Sequence, residues 1–215
     1  MKEKEIQDEL SSIRSIMERS SKFISLSGLS GILAGVYALI GAGVAYQFIY
    51  TKISEIPADI DHIPTKAFFY DSDINAAILF LSAIALLVLI ASIGTGIFLT
   101  IRKAKQKGQP IFGGTSRTLL FHMAVPLIAG GIFILLLTKN GYYGLVAPTS
   151  LVFYGVALVG ASSFTFTMVK YLGLCEIALG LIAAFLPIDG LLFWAIGFGV
   201  LHIVYGSLMY FKYDR

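Results

Sequence analysis

Residues 74–101 read INAAILFLSAIALLVLIASIGTGIFLTI, a run of 28 residues without one charged side chain. About 20 consecutive apolar residues suffice for a helix to cross a bilayer. The run shows no period-two alternation, which excludes a strand of a membrane barrel. Five further apolar stretches share its character, at about 23–50, 118–138, 147–169, 171–186 and 190–211. The expected fold is therefore all-α: a polytopic membrane protein built as a bundle of six transmembrane helices, spanning 23–215.

Composition leads to the same place. Hydrophobic residues make up 57% of the 215-residue chain, charged residues 13%, and the mean hydropathy is +0.82. Soluble domains carry about a quarter charged residues. A soluble globular enzyme and a disordered chain are both excluded by these figures. The lone Cys175 excludes an internal disulfide and a cysteine-rich metal cluster.

The charges that remain are sorted by topology. All sixteen basic residues except Lys52, Lys66 and Lys139 fall in the N-terminal arm, the loop after the second span, the joint after the fourth, or the tail. The positive-inside rule then places both termini in the cytoplasm, with a bacterial inner membrane as the expected location. Aromatic residues mark the interfaces, among them Tyr46, Tyr50, Phe68, Tyr142, Trp194 and Tyr210. The basic residues are thereby explained, and nucleic acid is not an expected partner.

Residues 1–22 form a short amphipathic arm. Ile6, Leu10, Ile13 and Met17 make one apolar stripe on a helix, among five acids and five bases. The stripe either lies on the membrane surface or pairs with a second subunit. The outer loop, Thr51 to Asp73, is acidic and holds Asp59, Asp61 and His62 close together. It lacks the glycine and distal glutamate of a calcium loop.

Small residues indicate helix contacts, within or between subunits. Ser27, Gly31, Gly35 and Gly43 stand at multiples of four on the first span, Gly180 and Ala184 on the fifth. Pro126 lies inside the third span and frees the carbonyl of His122, which then needs a partner.

Ionisable residues inside spans point to function. Glu176, His202 and His122 stand out. From the expected span ends, His122 and Glu176 lie roughly 7 Å from the cytoplasmic side and His202 about 15 Å. Ser163 and Thr167 are expected on one face of the fourth span. Ser92 and Thr95 belong to the second span, and Tyr205 is one turn from His202. Together they suggest a polar cavity open to the cytoplasm, with Glu176, His202 and His122 as ligand or proton groups and the others as lining.

Three chemistries suit such a set: a proton or cation path, a metal site, and an intramembrane hydrolase. Two imidazoles and a carboxylate suit zinc, yet no His-Glu-x-x-His spacing is present. The hydrolase lacks a nucleophile elbow. No cofactor is implied. The expected function is movement or binding of a proton, small ion or small solute. The alternative is a non-transporting interaction or stress-response protein, acting through its arm and the basic loop Arg102–Lys107.

The segment Gly173-Leu-Cys-Glu-Ile-Ala-Leu-Gly-Leu-Ile-Ala-Ala-Phe-Leu-Pro187, followed by Gly190, Gly197 and Gly206, resembles the glycine- and proline-marked hairpin of HdeD-like six-span bacterial membrane proteins. The resemblance covers about forty residues and implies a six-span bacterial membrane protein associated with acid resistance.

Overall fold

The computed structural model describes residues 27–54, 71–106, 113–186 and 189–214. The N-terminal arm, most of the acidic outer loop and Pro187 lie outside them. All regular structure among the described residues is helical. Six helices are long and apolar enough to cross a membrane, which suggests a multi-pass membrane protein. They are α1 (Gly28–Ser54), α2 (Asp71–Gln106), α3 (Gly114–Lys139), α4 (Val146–Ala161), α5 (Thr167–Phe185) and α6 (Gly190–Tyr213).

The largest departure from expectation is the joint after α4. A helix through Val169 was expected; α4 ends at Ala161, a 3-10 turn covers Ser162–Phe164, and α5 starts at Thr167. The local sequence Ser-Ser-Phe-Thr explains the break. Ser162 Oγ donates to the Val159 carbonyl at 2.6 Å, and Thr165 is extended at φ −143°, ψ −150°. Serine and threonine offer the backbone partners that compete with the helical ladder. Ser163 and Thr167 therefore do not share a face of one span; they belong to different elements.

The α3–α4 turn is closed by Gly141, which adopts φ +78°. Its N–H donates to the Thr138 carbonyl, and Tyr142 N–H to that of Leu137. Such left-handed caps satisfy the last helical carbonyls and favour glycine.

Glycine sets which helices touch. On α4 and α5, Gly155 and Gly173 face each other: a Cβ on either would stand 2.6 or 2.7 Å from the other's carbonyl oxygen. On α1, Gly31 and Gly35 lie against Gly206 and Gly199 of α6. Gly43, expected on the same stripe, has no neighbour within 4 Å of its Cβ position. Gly130 of α3 meets Phe153 of α4, and Gly41 of α1 meets Val88 of α2. Pro126 frees the His122 carbonyl, and that oxygen looks onto Gly160 of α4, 3.5 Å from where a Cβ would be.

The resulting order places α6 between α1 and the α4–α5 hairpin. The two flanking helices, α2 on α1 and α3 on α4, are the least buried. Their outward faces carry Leu87, Ile90, Phe98, Phe121 and Leu135, all exposed. So large an apolar surface is foreign to a soluble monomer and ordinary against lipid.

Candidate functional site

Glu176 lies nine residues from either end of α5, roughly 13 Å from each at the helical rise. Expectation placed it close to the cytoplasmic end. The difference arises at the joint just described: α5 starts four residues before Tyr171. His202 is equally central in α6, and Tyr154 in the segment Tyr143–Phe164. Three neighbouring helices thus contribute one polar side chain each, all near their midpoints.

These three side chains form a chain of contacts. Glu176 is fully buried, with 0% of its surface accessible. His202 Nδ1 stands 3.5 Å from its Oε1. The same nitrogen lies 3.0 Å from the Gly197 carbonyl. A carbonyl can only accept, so Nδ1 carries a hydrogen and donates it there. In the neutral ring Nε2 is then the acceptor, and Tyr154 Oη donates to it at 2.7 Å. The Gly197 carbonyl thereby fixes the tautomer of the imidazole, and the phenol pairs with its other nitrogen.

The carboxyl itself is different. Neither Oε1 nor Oε2 has a hydrogen-bond partner among the described residues. Burial of an ionised carboxylate without compensation is very costly. A carboxyl so placed is stable once it holds a proton or faces a counter-charge.

Gly197 makes room for it. A Cβ there would stand 2.6 Å from Glu176 Oε2 and would also strike Leu151. Around Gly197 the backbone of α6 widens into π turns over Ala195–Leu201. Such turns are rare and frequently sit at functional sites. Phe198 lies within the wide segment and packs against Tyr154 and His202, with ring centroids 5.1 and 6.0 Å away. The imidazole is thus held by two hydrogen bonds and an aromatic wall.

The other expected residues lie elsewhere. His122 is exposed on α3 and stacks on Phe164 at 4.9 Å. Ser163 and Thr167 are exposed at the α4–α5 joint. Ser92 and Thr95 lie on the flanking helix α2, where Thr95 pairs with Tyr37 of α1 at 3.3 Å. Tyr205 packs against Leu158, Val169 and Leu172, one turn from His202. The structure brings Glu176 and His202 together, and the expected lining disperses. In this conformation Glu176 has no accessible surface, so the expected open cavity does not reach it.

Tyr154 and Gly197 were not singled out from sequence as site residues. Tyrosine in a span usually marks an interface, and Gly197 is one of 22 glycines. The position of Tyr154, midway along its span, is the signal that could have found it. No group of three or more His, Cys, Asp or Glu able to hold a metal occurs among the described residues. Asp59, Asp61 and His62 lie outside them. The chain matches no protein-family model, no curated protein and no solved structure.

Proposed function

We propose that this protein is a multi-pass membrane transporter or channel of a proton or small cation, and that Glu176 is the group that takes up and releases the charge. One observation carries the reading: a fully buried carboxyl, halfway along its helix, with no hydrogen-bond partner among the described residues. Intramembrane carboxyls are costly and are kept where ions or protons pass. His202, 3.5 Å away, is the second member of the site. Since the carboxyl is closed off from solvent, uptake and release require the helices to part. The wide turn of α6 is the segment suited to give way. Both termini face the cytoplasm in this reading, as the basic residues require.

The test is flux in liposomes that contain the purified full-length chain. Proton and cation movements are followed with dyes under an imposed gradient, for the parent and for Glu176→Gln. The expected outcome is flux in the parent and its loss in the variant. Equal flux in both would overturn the reading.

A further inference from the structure

We infer that the charge bound at Glu176 is a proton, and that Tyr154 and Gly197 position His202 so that the site refuses metal cations; this rests on the binding role proposed above for Glu176. The first ground is the state of the imidazole. A metal ion binds a nitrogen lone pair. Both nitrogens of His202 are already engaged, Nδ1 as donor to the Gly197 carbonyl at 3.0 Å and Nε2 with the Tyr154 hydroxyl at 2.7 Å. The edge of the ring nearest the carboxyl, 3.5 Å from Oε1, therefore presents a hydrogen and not a lone pair. A cation placed there would meet N–H.

The second ground is the shortage of oxygens. Hard cations such as calcium gather six to eight of them. Where Glu176 Oε2 approaches Gly197, the other atoms nearest the missing Cβ are apolar, those of Leu151 and Leu179. No group of three or more His, Cys, Asp or Glu able to hold a metal occurs among the described residues. A proton needs only one lone pair. It forms one O–H bond on the Glu176 carboxylate, whose charge goes from −1 to zero, while His202 keeps its own hydrogen. The titratable groups around the carboxyl are His202 on α6 and Tyr154 on α4, with Tyr205 of α6 one turn along from His202.

The experiment is infrared difference spectroscopy on the full-length protein between acidic and alkaline pH, repeated with sodium, potassium, calcium or zinc. The expected result is a carboxylic-acid carbonyl band that Glu176→Gln removes and that no cation suppresses in the parent. Glu176→Asp, which keeps the acid, should retain the band at a shifted position and serves if the glutamine variant folds poorly. A cation that suppresses the Glu176 band in the parent would overturn the proton assignment and leave the binding reading standing. Absence of any pH- or cation-dependent signal tied to Glu176 would overturn both. The positioning role has its own readout. In Tyr154→Phe the imidazole loses one of the two hydrogen bonds that hold it and its Nε2 lone pair is left open, so zinc should suppress the band at concentrations at least tenfold below any effect on the parent. Equal response of variant and parent to zinc would overturn that role.

Discussion

Gly197 serves the carboxyl and the imidazole at once, since its missing side chain leaves space for Glu176 Oε2 and its carbonyl accepts from His202. Gly197→Ala should therefore act twice. The added methyl displaces the carboxyl, which should lower Glu176-dependent flux at least tenfold. Overpacking should also cost about 1–3 kcal/mol of stability, read from thermal unfolding in detergent. Tyr154→Phe keeps the ring and removes one interhelical hydrogen bond. Its expected cost is about 1 kcal/mol, the usual size of such bonds between membrane helices. A loss well above that would mean that the hydroxyl supports more than His202. At this scale the sequence shows the two buried ionisable residues and hides their supports. Glu176 and His202 are conspicuous because an ionisable group is rare in an apolar run. Tyr154 and Gly197 are of types that such runs hold in abundance, and only contact distinguishes them.

The helices themselves hold together by close backbone approach. Gly173→Ala would bring a methyl within 2.7 Å of the Gly155 carbonyl and should destabilise the protein by about 1–3 kcal/mol. Gly94→Ala on α2 meets nothing within 4 Å and should be neutral or stabilising by up to about 1 kcal/mol. Thermal unfolding of the two variants side by side checks the pair, and equal loss in both would count against this packing. All six helices were legible from hydropathy alone. Their limits were less so: α2 extends to Asp71 and Gln106, beyond both ends of its apolar run. The α4–α5 joint was misplaced because Ser162, Ser163, Thr165 and Thr167 read equally well as a polar strip on a continuous helix. Whether such residues line a helix or end it is decided by hydrogen bonds such as that of Ser162 to Val159, which spacing does not reveal.

The arrangement of the whole bundle was the least legible level. In a soluble protein an apolar stripe marks the buried face of each helix. Here the outward face is as apolar as the inward one, so the stripe disappears and with it the sign of which helix neighbours which. Cys175 illustrates the cost of that ambiguity. It precedes Glu176 directly, yet it is exposed on the outside of the bundle while Glu176 is buried. Cys175→Leu should leave Glu176-dependent flux unchanged in the liposome assay; loss of flux in that variant would place the path on the outer side of α5. The central position of Glu176, His202 and Tyr154 has an electrical consequence. A charge that reaches Glu176 from either side of a bilayer has crossed about half of the membrane field. A full crossing is worth about 2.3 kcal/mol per 100 mV, so the half crossing is worth about 1.2 kcal/mol, or roughly a sevenfold change in occupancy. Voltage and acidity would then be interchangeable at this carboxyl, with 100 mV across the membrane equivalent to about 0.8 of a pH unit.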